Sequence, residues 1–209
     1  REATWLLNLV WTSYVGAIRS RITNVLSLSE LLYLRSKDKK EKELVFRIHE
    51  NTKKVYLELE STRLLALNAV GKLTASPEYT DVSELLAETF SFFSLEEEKG
   101  KISFEINCPK KRAYAKVDRF IFGISVKNLV EKCLELSSGK IHVRADCWPV
   151  GASAALKITI SGINIYPEKV LKFALPETLS VQGITAEAEG TSNQVSVTFK
   201  LERAGGENH

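Results

Sequence analysis

The 209-residue sequence contains no methionine and only three cysteines. Cys108, Cys133 and Cys147 are odd in number and lack the spacing of a metal site, so neither a disulfide scaffold nor a structural zinc site is expected. The sequence also lacks any apolar run near the roughly 18 residues that a membrane-spanning helix needs. The absence of methionine, including at position 1, predicts a piece of a longer protein, and the cysteine usage predicts a reducing compartment such as the cytoplasm.

Motifs of well-known enzymes and metal sites are missing as well. The sequence has no HExxH, no CxxC and no Ser–His–Asp order, so a hydrolase or a metal protein has no support. Its formal charge is +3, and the first 73 residues carry 13 basic and 8 acidic side chains against 16 and 18 in the rest. This shift indicates a domain boundary. Because the basic excess is small and lacks interleaved aromatic residues, nucleic-acid binding is not expected.

Apolar residues at helical spacing dominate the first part of the chain. One stripe consists of Leu7, Val10, Tyr14, Ile18, Ile22, Val25, Leu28 and Leu32. A second stripe consists of Val45, Ile48, Thr52, Val55, Leu59, Thr62, Ala66 and Ala69. Steps of three and four predict two long helices, and the charged stretch RSKDKKEKE between them is typical of a short connection or a solvated helix start. Residues 1–73 are therefore predicted to form an antiparallel helical hairpin.

Two helices alone cannot enclose a core, so we expect the hairpin to pair with a second copy of itself. The predicted result is a homodimer whose hairpins form a four-helix bundle. The predicted dimer interface consists of Val25, Leu28, Leu32, Val55, Leu59 and Thr62.

After residue 74 the pattern changes to short helices and strands. Asp81, followed three residues later by Glu84, predicts the beginning of a helix. Predicted helices cover 82–98, 117–136 and 168–173, and predicted strands cover 101–107, 112–116, 140–147, 154–161, 183–189 and 194–202. This order predicts an α+β chain in which residues 74–203 form an α/β sandwich, a mixed sheet with helices on one face. Residues 204–209 are expected to form a disordered tail.

Four stretches resemble parts of the sensor histidine kinase core. VLSLSELL (25–32) is similar to the end of the first hairpin helix, and LLALNAVGKLTASPEYTDVSELLAETF (64–90) to the end of the second helix and the beginning of the ATP-binding lobe. VDRFIFGISVKNLVEKCLEL (117–136) is similar to the helix with the Asn-rich box, and ITISGINIYPEKV (158–170) to the strand and turn usually written DTGIGIPPE. The resemblance covers nearly the whole chain and implies a dimerisation and phosphotransfer hairpin followed by an ATP-binding α/β lobe.

In the hairpin, this resemblance breaks at the phosphoaccepting histidine. Counting back from SELL, Gly16 stands where that histidine is expected, and Ala17 where the family has its acidic base. Glycine offers no nucleophile, so phosphorylation at this position is excluded. His49, on the second helix, is expected to be a structural residue, exposed or facing the bundle. Its alternative role is a phosphoacceptor oriented by Glu50 or Glu43.

The nucleotide motifs of the lobe are incomplete in the same way. Asn128 keeps the first Asn of the box, but Lys132 stands where the family binds magnesium and Glu135 where it often has a phosphate-binding base. A lysine ammonium has no lone pair to offer Mg²⁺. In the glycine turn, Gly162 remains, while Ile160 replaces the aspartate that contacts adenine. Asn128, Lys132 and Gly162 are therefore predicted to be remnants of a nucleotide site.

The region 173–195 also lacks a Gly-rich lid that could wrap phosphates. Together, these losses favour a catalytically degenerate histidine-kinase-like domain, a pseudokinase that serves two-component-type signalling as a dimeric scaffold or relay. No cofactor and no metal are expected in this hypothesis. Two alternatives stay open: a histidine phosphotransferase of a phosphorelay that uses His49, and an atypical kinase that binds ATP through Asn128 and Lys132.

The resemblance also indicates a partner and a compartment. In active relatives, receiver domains of response regulators dock near the first hairpin helix. In this chain, such a domain would face Arg19, Ser20 and Thr23. The bacterial cytoplasm is the expected location, with a plastid of bacterial ancestry as the alternative.

Overall fold

A computed structural model of the chain describes residues 15–107, 114–150, 153–191 and 193–202. The chain divides into two compact units, Arg1–Gly71 and Lys72–His209. The first unit contains a helical hairpin and the second is an α/β lobe. Leu7, Val10 and Tyr14 of the predicted first stripe, and the predicted tail 204–209, lie outside the described residues.

The hairpin consists of α1 (Gly16–Arg35) and α2 (Lys39–Ala69). The Ser36 N–H donates to the Leu32 carbonyl at 2.8 Å and closes α1. Asp38 then caps α2, because its carboxylate accepts a hydrogen bond from the Glu41 N–H at 2.9 Å. The charged stretch RSKDKKEKE (35–43) is therefore mostly helical, and residues 36–38 near its beginning connect the two helices.

Side-chain pairs between α1 and α2 show that the helices are antiparallel. The pairs are Arg19 with Glu60, Ser29 with His49, and Tyr33 with Phe46. Residue numbers rise along α1 as they fall along α2, as an antiparallel hairpin requires. The buried apolar residues of the described hairpin are Val15, Tyr33, Val45, Phe46, Leu57 and Leu64.

The lobe has five helices and seven strands among its described residues. In chain order these are β1 (Glu78–Asp81), α3 (Val82–Ser91), α4 (Ser94–Glu98), β2 (Ile102–Asn107), β3 (Tyr114–Val117), α5 (Arg119–Leu136), β4 (Ile141–Val150), β5 (Ser153–Ser161), α6 (Pro167–Phe173), α7 (Pro176–Leu179), β6 (Thr185–Thr191) and β7 (Gln194–Glu202). A 3-10 turn, Ser180–Gln182, follows α7.

Five strands form one mixed sheet in the order β2-β4-β5-β7-β6. Strand β2 runs parallel to β4, and the other neighbours are antiparallel. Strands β1 and β3 form a separate antiparallel pair, in which Glu78 lies opposite Val117.

One face of the main sheet is apolar and carries the helices. On β4, the buried residues Ile141, Val143 and Ala145 alternate with the exposed residues His142 and Arg144, which is the pattern of a strand with one covered face. Ring contacts join helices to this sheet. The Phe122 ring of α5 lies 5.5 Å from that of Phe199 on β7, and the Phe90 ring of α3 lies 4.4 Å from that of Phe104 on β2.

The predicted fold class, a long helical hairpin followed by a mixed α/β sandwich, is confirmed. The helix predicted over 82–98 is divided into α3 and α4, because Phe93 leaves helical geometry (φ −108°) and its ring is fully buried near Phe104. Strand β1, helix α7 and the 3-10 turn have no counterpart in the sequence-based prediction. In the described part of the chain, no helix has the length and hydropathy needed to cross a membrane.

Candidate functional site

Gly16 is the first residue of α1 and is exposed. Ala17 beside it is also exposed. The helix thus presents bare backbone and a methyl group at the two positions where the sequence resemblance implies a nucleophile and its base. Nothing at these two positions can accept a phosphoryl group.

One turn further along, a charged cluster joins the two hairpin helices. The carboxylate of Glu60 is fully buried and lies 3.0 Å from the Nε atoms of both Arg19 and Arg63. Burial, together with the Glu60 charge, raises the pKa of the neighbouring Tyr56 phenol. A buried carboxylate held by two guanidinium groups from two helices fixes their axial register. The cluster is structural, because each of its charges is engaged by an opposite one.

His49 lies inside the hairpin and is 7% exposed. Its Nδ1 is 3.0 Å from the Ser29 Oγ, and the same hydroxyl donates to the Leu26 carbonyl at 2.8 Å. Since a hydroxyl has one hydrogen to donate, we assign the donor role in the Ser29–His49 bond to the His49 Nδ1–H. His49 therefore serves as a buried link between α1 and α2.

In the lobe, Asn128 lies on the buried face of α5 and is 6% exposed. Its Nδ2 donates to the Phe173 carbonyl, the last of α6, at 2.7 Å. The last carbonyls of a helix lack partners within the helix, so Asn128 satisfies one of them. The first Asn of the box-like sequence thus ties two helices together.

Lys132 lies one turn beyond Asn128 and forms an ion pair with Glu135. The Lys132 Nζ is 2.9 Å from the Glu135 Oε2, and the two side chains are 29% and 25% exposed. The charges of Lys132 and Glu135, which stand where the sequence resemblance implies magnesium and phosphate ligands, thus compensate each other. An ammonium already paired in this way is a poor site for either ion.

Gly162 follows β5 and has a positive φ of 87°. A Cβ at this position would lie 2.5 Å from the Lys140 carbonyl oxygen, so the close approach of the two chain segments requires glycine here. Ile160, where an adenine-contacting aspartate is expected in kinases, is fully buried on the apolar face of the sheet. Gly162 has a backbone role, and the turn offers no carboxylate to a base.

No phosphate lid separates α6 from β6. Eleven residues, 174–184, join these two elements, and they form α7 and a 3-10 turn. Leu175 begins α7 in a left-handed conformation, with φ 51° and ψ 56°. Gln182 ends the 3-10 turn, is 8% exposed, and accepts a hydrogen bond from the Asp118 N–H at 2.6 Å. The segment is packed against the lobe.

Lys127 and Cys133 were not predicted to be site residues, and burial shifts the pKa of both. Burial lowers the pKa of Lys127, whose Nζ lies 4.7 Å from the centre of the Phe92 ring. Burial also raises the pKa of the Cys133 thiol to about 12, which makes it unreactive at neutral pH. Among the described residues, no three His, Cys, Asp or Glu side chains are grouped to hold a metal ion.

A Ser–His–Glu row lies on the open face of the sheet. The His142 Nδ1 is 3.0 Å from the Ser103 Oγ, and its Nε2 is 3.4 Å from the Glu105 Oε2. A hydrogen bond from Asn107 is the main cause that lowers the pKa of Glu105. His142 and Glu105 are each 45% exposed, so we interpret the row as solvated cross-strand pairing on a flat surface.

No protein-family model and no curated protein sequence matches this chain. Solved structures do match it. The Acinetobacter baumannii histidine kinase AdeS aligns with a TM-score of 0.61 at 17% identity, over 87% of this chain and 95% of that one. Full-length ShkA in complex with AMPPNP gives 0.61 at 12% identity, over 91% of this chain and 44% of that one.

Histidine kinase ThkA in complex with the response regulator protein TrrA aligns with a TM-score of 0.55 at 14% identity, over 93% of this chain and 62% of that one. At these identities the likeness concerns the fold. The chain has the fold of a histidine kinase core, a helical hairpin followed by the α/β lobe.

Proposed function

We propose that this chain is a catalytically degenerate histidine-kinase-like domain of two-component-type signalling. It acts as a dimeric scaffold or relay and neither binds ATP nor carries a phosphoryl group. The hydrogen bond from Asn128 to the Phe173 carbonyl supports this most strongly, because it engages within the protein an amide that stands in the box of the nucleotide site. The pairing of Lys132 with Glu135 and the glycine at position 16 point the same way.

A second copy of the chain is the proposed partner of the hairpin. Four residues of the predicted interface are large, apolar and exposed: Val25 (42%), Leu28 (60%), Leu32 (54%) and Val55 (51%). Thr62 is exposed and Leu59 is partly so. Ile18 and Ile48, 45% and 52% exposed, have the same character. Large contiguous apolar patches are rare on the surfaces of monomers, and a symmetric four-helix bundle would cover these side chains.

A response-regulator receiver domain is the proposed partner of α1. Ser20 and Thr23 are exposed, and the Arg19 side chain is 43% exposed. The aligned ThkA structure is itself a complex with a response regulator. In this chain, such a contact would pass on a movement of α1 and not a phosphoryl group, because Gly16 has no side chain that could carry one.

The two enzymatic alternatives have weaker support. A phosphoacceptor needs a reachable imidazole nitrogen, whereas His49 is buried and hydrogen-bonded to Ser29. An atypical ATP site would need Asn128 and Lys132, and both are engaged by Phe173 and Glu135.

Phosphate labelling tests this proposal. The chain is incubated with radiolabelled Mg–ATP and, separately, with a receiver domain labelled on its aspartate, and acid-labile phosphate on the chain is measured. We expect none in either reaction. Label that appears on the chain and disappears in His49→Ala would overturn the proposal in favour of a phosphotransferase. Label from ATP that disappears in Asn128→Asp would overturn it in favour of a kinase.

A further inference from the structure

Residues 173–182, here called the strap, run along α5 and are attached to it at two places. At one end, Asn128 donates to the Phe173 carbonyl at 2.7 Å. At the other end, the Gln182 Oε1 accepts from the Asp118 N–H at 2.6 Å. Asp118 and Asn128 are ten positions apart, which is about 15 Å along a helix. The strap therefore extends beside α5 for nearly three turns, from its N-cap Asp118 to Asn128, the first residue of the box-like sequence.

Hydrogen bonds within the strap stabilise its conformation as well. The Leu175 carbonyl accepts hydrogen bonds from the Thr178 N–H, the Thr178 hydroxyl and the Leu179 N–H, at 3.0, 2.9 and 3.2 Å. The Ile184 N–H donates to the Leu179 carbonyl at 3.2 Å and ties the end of the strap to β6. The buried residues of the strap are Ala174, Leu175, Thr178, Leu179 and Gln182.

The backbone conformation of Leu175 is one that the surrounding residues must stabilise. A leucine with φ 51° is in a region that side chains with a Cβ disfavour. Such a residue persists where its surroundings determine it. Here those surroundings are its buried side chain, 5% exposed, and the three hydrogen bonds to its carbonyl.

We propose that Asn128 and Gln182 clamp the strap onto α5, so that this face of the lobe is permanently covered without any nucleotide. The inference rests on the proposed function and deepens it, because it names what lies against α5 from its beginning to the first residue of the box-like sequence. Both attachments join a side chain to backbone within the lobe, so neither depends on a ligand. The strap would thus be a fixed part of the fold in place of a lid that orders on nucleotide binding.

Hydrogen–deuterium exchange on the nucleotide-free chain tests the clamp. We expect slow exchange in the wild type at the strap amides of Thr178 and Leu179, and at the amides of Gly183 and Ile184 directly after the strap. Asn128→Asp removes the donor at nearly constant shape, and Gln182→Met removes the acceptor. Each should speed exchange in the strap by roughly tenfold, the effect of losing a buried hydrogen bond, while the amides of Ile124 to Lys127 in α5 keep their rates.

Lys132→Met is the matched control, since it lies on α5 one turn from Asn128 and pairs with Glu135. It should leave exchange in the strap unchanged. Unprotected strap amides in the wild type, or unchanged rates in Gln182→Met, would overturn the clamp. If Asn128→Asp does not fold, the comparison of exchange rates between Gln182→Met and the wild type still tests the clamp. A second measurement with added Mg–ATP tests the proposed function separately from the clamp. Slower exchange of the α5 amides in the presence of Mg–ATP would contradict the proposed function. The clamp is tested by the exchange rates without nucleotide.

Discussion

The hairpin and the lobe bury different kinds of side chain. In the hairpin, Ser29, His49, Lys53, Glu60 and Ser61 are buried, while large aliphatic side chains such as Leu28 and Leu32 are exposed. In the lobe, the buried residues are mostly aliphatic and aromatic and line one face of the sheet. This difference indicates that the lobe encloses an apolar core of its own, whereas the described part of the hairpin leaves large apolar side chains exposed.

The two regions also differ at the positions that the sequence resemblance singles out. In the hairpin, Gly16 has no side chain and is exposed. In the lobe, Asn128 is still present but is bonded to the backbone of α6. Gly16 is thus an exposed position, whereas the Asn128 side chain is part of the packing of the lobe. The predictions below test this contrast between an open hairpin and a self-sufficient lobe.

The largest effect is expected in the core of the lobe. Phe122→Ala removes a fully buried ring that contacts Phe199, and should lower the free energy of unfolding by about 3–5 kcal/mol. Leu136→Ala, at a residue of the same helix that is 52% exposed, should cost about 0.5 kcal/mol or less. Urea denaturation followed by circular dichroism measures both. Equal losses would contradict a closed core in the lobe.

The next effect concerns association of the hairpin. The double variant Leu28→Glu/Leu32→Glu places two charges on the proposed interface and should weaken dimerisation by about 4 kcal/mol, near a thousandfold. Light scattering should then report 23.4 kDa, the mass of one chain, instead of twice that mass. Leu34→Glu is the control, because Leu34 is 62% exposed on α1 outside the proposed interface. A wild-type monomer at micromolar concentration would refute the bundle.

The charged cluster of the hairpin should have a smaller effect. Glu60→Gln leaves Arg19 and Arg63 without their buried counter-charge and should cost about 2–3 kcal/mol. This is less than for a fully buried pair, because Arg19 is 43% exposed. Glu43→Gln removes the exposed pair with Arg47, 3.5 Å apart, and should cost under about 0.5 kcal/mol. Thermal unfolding measures the loss of stability in both variants. If Glu60→Gln costs no more than Glu43→Gln, the cluster does not hold the two helices together.

The smallest effect is expected at the turn after β5. Gly162→Ala should destabilise the lobe by about 2 kcal/mol, because φ is 87° and the new methyl group would meet the Lys140 carbonyl. Gly139→Ala is the matched control, since a Cβ there has nothing within 4 Å. Differential scanning calorimetry should show a lower Tm for the first variant alone. A neutral Gly162→Ala would remove the backbone explanation for this glycine.

Periodicity and turn chemistry were sufficient to predict the hairpin, the long helix α5 and most strands of the sheet. They were insufficient for α7, which has four residues and begins at a left-handed Leu175, because neither feature leaves a repeating pattern. The contacts of the candidate site join residues far apart in sequence: Ser29 to His49, Asn128 to Phe173, and Asp118 to Gln182. Such pairs depend on tertiary packing, which spacing within one segment does not encode.

The resemblance in sequence drew attention to Gly16 and Lys132, but it could not show which contacts the residues of the lobe make with one another. That Glu135 compensates Lys132 is visible at a spacing of three residues on a helix, so this contact could have been predicted. The hydrogen bond from Asn128 to α6 could not have been predicted, because its acceptor is a backbone carbonyl, which every residue has.

Isothermal titration calorimetry with Mg–ATP tests the central claim most directly. The account predicts no saturable heat up to millimolar nucleotide for the intact chain, under conditions in which an active histidine kinase core of the same fold binds. A saturable titration with one site per chain, lost in Asn128→Asp and kept in Leu136→Ala, would contradict it.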